Sequence, residues 1–396
     1  MKHILWSIGH ELKLDRIEKA SGCYVYDSSG QAFLDLESGV WCTPLGHCHP
    51  EVVQAMETQA RTICHTGYCY AHPVIEQASE QILDIAGFEN GKSVFLCSGS
   101  EAVEFGVKAL KSLSDKPMLL TLHDSFLGSY GSSGTKPETE WTLLNWEPCQ
   151  NCDHTDACHP ACPVFDAVDF DRISGFVFEP GSASGLVRFP PNGLIRTIAQ
   201  QVKERDGHVQ VNEITTGMGR SGKWFGFQHY DIQPDIVSMG KGLGNGYPVS
   251  AIAMTKEAAG RLEANRFYYS QSHQNDPLGA AVAAEVIRVM KRVTLPEQAR
   301  SMGQYLKTRL EDLGEKFPVI RDIRGKGLIL SISFDSRTPD DWVVRLAERL
   351  LNTHRIITAK RPGHPVIRID PPLVITRDQI DHFLEALDQC LAEMAS

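Results

Sequence analysis

Lys241 stands alone among glycines in SMGKGLGNG, residues 238–246. Glycines at 240, 242, 244 and 246 let the backbone approach a ligand closely and leave room around the amine. A lysine held in such a partly dry place loses its proton more readily and attacks carbonyls, giving a Schiff base. A solvated lysine on a loop has the same local sequence, so the upstream residues carry weight. There the run HVQVNE brings Asn212 to the carboxyl end of a predicted strand, where open α/β sheets place their ligands. In CSGSEA, Gly99 and Ser100 sit between a predicted strand and a predicted helix, whose first N–H groups suit a phosphate. The loop EPCQNCDHTDACHPACP holds Cys149, Cys152, Cys158 and Cys162 in C-x2-C-x5-C-x3-C spacing, with His154 and His159 between them. Those thiols are either ligands of a structural zinc ion or reduced, redox-active groups, and an iron–sulfur cluster fits the spacing less well. In GHCHP, His47 and His49 read as structural residues at a helix start.

Short apolar runs bounded by turns alternate with amphipathic segments from about residue 50 onward. KSVFLCS, PMLLTLH, GFVFEP, HVQVNE and DIVSMG look like strands buried on both faces, and HPEVVQAMETQARTI and SEAVEFGVKALKSL like helices. That alternation predicts an α/β domain with a mostly parallel sheet covered by helices on both sides. After the helix DPLGAAVAAEVIRVMKRV the pattern changes to LILSISF, a helix at DDWVVRLAERLL, PVIRIDPPLVI and a closing helix. The expected division is an N-terminal segment 1–45 packing with the small domain, a large domain 46–285 and a smaller α+β domain 286–396. A net charge of −10 without a basic cluster argues against a nucleic-acid surface. No apolar run approaches a membrane span and the first residues lack a signal-peptide core, so the chain reads as cytoplasmic.

The blocks CSGSEA, FLGSYG, FEPGSASG, VNEITTGMGRSG, PDIVSMGKGLGNGYP, SHQNDP and IRIDPPL follow one another in an order and at spacings that resemble the class III aminotransferases of the omega or ornithine type. The resemblance runs from GCYVYDSSGQAFLDLESG to the closing helix and implies fold type I of the pyridoxal 5′-phosphate (PLP) enzymes, with a seven-stranded sheet in the large domain. By position it implies that Lys241 forms the Schiff base with PLP and then moves the Cα proton as general base. It implies that Gly99 and Ser100 hold the cofactor phosphate and that Ser272 reaches it from a neighbouring subunit, making the active unit a homodimer with its site at the interface. Phe126 and Ile214 would lie on the two faces of the pyridine ring. Arg368 would grip the substrate carboxylate, a planar fork being well shaped for it, with Glu179 as its switching partner and Trp41 at the substrate entrance.

Three positions depart from the family pattern. Leu127 stands where many relatives have histidine, and Thr215 stands where glutamine usually approaches the cofactor's phenolic oxygen. Asn212 occupies the place of the aspartate that keeps the pyridine nitrogen protonated. A neutral amide offers no charge to a pyridinium, so the ring should be a weaker electron sink. The amide is compatible with an aminotransferase that compensates by other contacts, with a natural enzyme needing less carbanion delocalisation, or with a deliberate substitution. The implied activity is therefore amino transfer between an amino acid or amine and a 2-oxo acid. Racemisation, decarboxylation or lysis on the same fold is the alternative, and a non-catalytic PLP-fold binding protein a further one.

Overall fold

The computed structural model describes residues 3–7, 12–67, 69–152, 158–159, 161–182, 185–339, 341–361 and 363–395. Strands β1 (Ile17–Ser21), β2 (Tyr24–Asp27) and β3 (Ala32–Asp35) form an antiparallel ribbon. The period-two pattern of GCYVYDSSGQAFLDL accounts for it: the β2–β3 turn is closed by Asp27, whose Oδ1 accepts from the backbone N–H groups of Ser29 and Gln31 at 2.9 Å.

Seven strands make the central sheet: β4 (Lys92–Leu96), β5 (Met118–Leu122), β6 (Trp141–Leu144), β7 (Ile173–Phe178), β8 (His208–Asn212), β9 (Ile236–Met239) and β10 (Ser250–Met254). Their order is β4-β10-β9-β8-β7-β5-β6, with β10 antiparallel to both its neighbours and the remaining pairs parallel. Every residue of β7, β8, β9 and β10 is buried, which explains the unbroken apolar runs. Burying a side chain such as Phe176 or Phe178 contributes about 1.5–3 kcal/mol, so these strand ends are firmly placed. Five predicted strands match β4, β5, β7, β8 and β9 closely. β6, β10 and the helices Pro73–Ala86 and Leu295–Lys316 are additions that the sequence pattern did not resolve. In β10 the cause is composition: SAIAM has two alanines and a serine and is recognisable mainly by the partners it finds.

A third sheet, ordered β11-β12-β15-β14, is built from β11 (Ile320–Lys326), β12 (Ile329–Phe334), β14 (Ala359–Lys360) and β15 (Val366–Ile369). The short strand β13 (Ile356–Ile357) joins instead to β3 in parallel, so the N-terminal ribbon is tied to the C-terminal part of the chain. The helix Pro277–Arg292 packs on the helices Pro50–Thr62 and Pro73–Ala86 and buries most of its length. Among the described residues no helix is long and apolar enough to cross a membrane.

Candidate active site

The carboxyl ends of β7, β8 and β9 and the helix after β4 deliver the residues singled out above. Lys241 follows β9, with Gly240 extended before it and its own φ at 41°. Its Nζ donates a hydrogen bond to Thr215 Oγ1 at 2.8 Å and lies 4.2 Å from the centroid of the Trp41 ring. Arg368, on β15, places its Cζ 4.0 Å from the same ring. Trp41 therefore lies against both cations. Burial pulls the Lys241 amine down to about 8, with Arg368 adding to the effect and Cys42 and Glu179 opposing it. About a tenth of such an amine is neutral at pH 7, against a few parts in ten thousand for a free lysine.

Trp41 owes its position to a strained turn. Ser38, Gly39, Val40 and Trp41 all have φ between 46° and 66°, a conformation that side chains disfavour. Asp35 Oδ1 accepts from Glu37 N and Ser38 N at 2.8 and 3.1 Å, Ser38 Oγ donates to Asp370 O at 2.7 Å, and Arg220 donates to Ser38 Oγ at 2.9 Å. Those bonds over-determine the turn and hold the indole in place.

Asn212, ending β8, is buried, and both ends of its amide are engaged. Nδ2 donates to Phe126 O at 3.0 Å, and Oδ1 accepts from Ile214 N at 3.2 Å. Glu179, at the end of β7, accepts from Phe126 N at 2.9 Å. The Phe126 peptide is thus gripped at its N–H and its C=O while its ring stays 48% exposed, which is unusual for a phenylalanine so firmly anchored. Because strand side chains alternate, the neighbouring Glu213 points elsewhere: its carboxylate accepts from Gly226 N, Phe227 N and Thr216 Oγ1 at 2.7–2.8 Å. Burial raises that carboxyl to about 7, and it offers no charge at the position of Asn212.

At the start of the helix Gly99–Leu113, Ser98 caps by accepting from Glu101 N at 3.2 Å, and the first N–H groups have no intrahelical acceptor. Ser100 Oγ accepts from Ser129 N at 3.0 Å, which leaves its own proton to donate outward. Gly99 is required here, because a Cβ would fall 2.7 Å from Ile214 Cγ2. Ile214 therefore packs on Gly99, while the Phe126 ring is exposed. A flat ring with an anionic tail at the helix start and an aldehyde facing Lys241 fits this donor set.

First, Arg368 has an ion-pair partner that the sequence did not single out: its Nε lies 3.4 Å from Asp370 Oδ2. Asp370 is fully buried, so its carboxyl is raised despite Arg368 and Arg220, and it fixes the guanidinium from behind. Second, no three of the sulfurs of Cys149, Cys152, Cys158 and Cys162 come within 4.8 Å of one another, and all four cysteines are free. Burial and mutual repulsion raise Cys149, and push Cys158 up to about 11. His154 lies outside the described residues. Leu127 is fully buried in the core, away from any polar role. His47 Nε2 sits 2.8 Å from Asp35 Oδ2, and His49 precedes the helix Pro50–Thr62. Ser272 is exposed. The sequence reading passed over Asp370, two residues beyond Arg368 on the same strand end, Cys42 next to Trp41, and Tyr130. The last, 48% exposed in FLGSYG with its hydroxyl 3.4 Å from Ser98 Oγ, was detectable as an exposed aromatic in a polar loop.

Residues 9–391 match the family model described as aminotransferase class-III. The chain belongs to this family. Its members are PLP enzymes, and aminotransferase is the activity that the family defines. An acetylornithine aminotransferase of Caldanaerobacter subterraneus is 28% identical over 382 residues, covering 95% of this chain and 94% of the relative. An ornithine aminotransferase of Exiguobacterium sp. is 28% identical over 399 residues, covering 96% and 93%. A Bacillus anthracis aminotransferase structure superposes with a TM-score of 0.90 at 21% identity, covering 99% of this chain and 97% of that one. An S-selective transaminase from an Arthrobacter species gives 0.89 at 24% identity, covering 99% and 96%. At these identities the structural likeness establishes the fold type of this class-III chain and nothing about its substrates.

Proposed function

We propose that the chain transfers an amino group between an amino acid or amine and a 2-oxo acid, with Lys241 as the catalytic residue. The supporting observation is the Lys241 amine, half-buried over Trp41, hydrogen-bonded to Thr215 and pulled down to about 8. When bound, PLP supplies the aldehyde that takes up the amino group and a ring that withdraws electrons from Cα. Lys241 then holds and returns the Cα proton, since a base near neutral pH is matched to both directions of transfer. Thr215 sets the direction of the amine, and Phe126 and Ile214 bound the ring on its two faces. Gly99 and Ser100 receive the phosphate, and Ser272 reaches it from a second subunit of a homodimer. Arg368, steadied by Asp370, binds the substrate carboxylate, with Glu179 and Trp41 shaping its approach.

Asn212 keeps one N–H beyond its bond to Phe126 O and carries no charge, which favours a neutral pyridine nitrogen. That observation keeps a second reading in view, in which proton exchange at Cα ends in racemisation, decarboxylation or lysis. We place the protein in the cytoplasm, divided near residues 45 and 285, and assign no metal to Cys149, Cys152, Cys158 or Cys162 for turnover. The test is a single-turnover mixture of holoenzyme with candidate amino acids, followed by absorbance and product analysis. Conversion of the cofactor to its amine form with release of a 2-oxo acid supports amino transfer. Product without that conversion favours the second reading, and failure of borohydride to fix cofactor on Lys241 overturns both.

A further inference from the structure

The geometry points to a divalent transition-metal site formed by His65, His273 and Asp276. His65 follows the helix Pro50–Thr62, and His273 and Asp276 lie just before the helix Pro277–Arg292. His65 Nδ1 is 2.5 Å from Asp276 Oδ1, and His273 Nδ1 is 2.5 Å from Asp276 Oδ2. The two rings face each other at 4.6 Å between centroids and 49° between planes. Among the described residues this is the one group of three or more such side chains whose ligand atoms all lie within 4.8 Å of one another.

The frame around these atoms is fixed before any ion arrives. Asn275 is bound to β4 twice: its N–H donates to Phe95 O, and its Oδ1 accepts from Phe95 N, each at 2.9 Å. Leu278 N donates to Cys64 O at 3.4 Å, joining the two segments beside the histidines, and His273 N donates to Gln271 Oε1 at 2.7 Å. Ligands held by such supports lose little entropy on binding. The Asp276 side chain is 18% exposed and the imidazoles about half exposed, so water can complete the coordination. Two imidazoles and one carboxylate suit zinc, cobalt, nickel or copper, whereas magnesium and calcium prefer oxygen alone. Cys97, Tyr247, His273 and Asp276 also line a cavity of about 220 Å³, which gives an ion a route inward.

Without metal the carboxylate shares a proton with each ring. With metal those protons move to Nε2 or to solvent, and the freed Nδ1 lone pairs turn to the cation. The site joins segments more than two hundred residues apart, so an ion there should also raise the melting temperature.

The experiment uses tag-free holoenzyme, first dialysed against a chelator and then titrated with cobalt(II) or zinc(II). One equivalent should bind, with visible cobalt bands showing nitrogen and oxygen ligation and a rise in Tm. The double variant His65→Asn/His273→Asn, and separately the near-isosteric Asp276→Asn, should weaken binding at least ~100-fold while retaining native Tm in chelator. Cys149→Ser/Cys152→Ser should leave binding unchanged. The inference is overturned if no stoichiometric uptake occurs, if uptake survives the histidine and aspartate variants, or if thiolate-to-cobalt absorption vanishes with the cysteine variants. None of these outcomes depends on amino transfer, so this inference and the proposed activity stand or fall separately.

Discussion

The lysine pocket draws Trp41, Phe126, Glu179, Asn212, Thr215, Lys241 and Arg368 from segments spread over more than three hundred residues, yet hydrogen bonds join Phe126 to Glu179 and Asn212 and Lys241 to Thr215, and the Trp41 ring lies against both Lys241 and Arg368. The cysteine loop keeps four thiols within fourteen positions, 149 to 162, yet no three of its sulfurs approach as metal ligands do. The difference lies in what fixes each side chain. Glu179, Asn212 and Lys241 sit at the ends of fully buried strands, where packing sets the direction of every bond. Loop residues hang from short 3-10 turns, Glu147–Asn151 and Pro163–Phe165, which fix the backbone but do not aim the sulfurs at one point. Closeness along the chain is a weak guide to chemistry. Convergence at the edge of a packed sheet is a strong one.

Replacing Lys241 by alanine should separate the two regions most sharply. Loss of both the nucleophile and the general base should lower kcat/KM by ~10⁴-fold or more, measured with any accepted amino donor. Arg368→Lys should come next: losing the planar fork beside Asp370 costs about 1.5–3 kcal/mol, seen chiefly as a raised KM for carboxylate-bearing substrates. An unchanged KM would mean that Arg368 serves Asp370 and Trp41 alone.

Asn212→Asp tests whether the pocket is fitted to the amide. A carboxylate oxygen would then lie about where Nδ2 now donates, 3.0 Å from the Phe126 carbonyl oxygen, and repel it. The cofactor-free protein should lose about 1–3 kcal/mol of stability by denaturant unfolding, even if the holoenzyme gains rate. Equal stability of the two forms would show that the Phe126 peptide yields easily.

Lys241 also gives a pH signature. Its folded pKa of about 8 lies below that of the unfolded chain, so between those values the unfolded state binds more protons and stability rises with pH. Below about 8 the buried charge carries its full penalty. Lys241→Met should accordingly raise the Tm of the cofactor-free protein at pH 7, and the gain should shrink as pH rises past 8 toward 10. A gain that does not vary with pH would trace the effect to packing. The smallest effect belongs to the loop: Cys149→Ser/Cys152→Ser, or chelator treatment, should leave kcat/KM within about twofold, because burial raises the Cys149 thiol and the loop's sulfurs lie outside the pocket.

Period and composition alone determined the parallel core strands, the helix after CSGSEA and the isolation of Lys241 among glycines, because burial on two faces and close backbone approach each demand particular residue types. The family resemblance added Arg368, Phe126 and Asn212 as site positions. Tertiary structure alone decided that Arg368 turns to Asp370, that Asn212 and Glu179 together grip the Phe126 peptide, and that His65 meets His273 across two hundred residues. Hydrogen-bond partners of this kind are set by where whole strands and helices come to rest, and no local pattern along a chain encodes that.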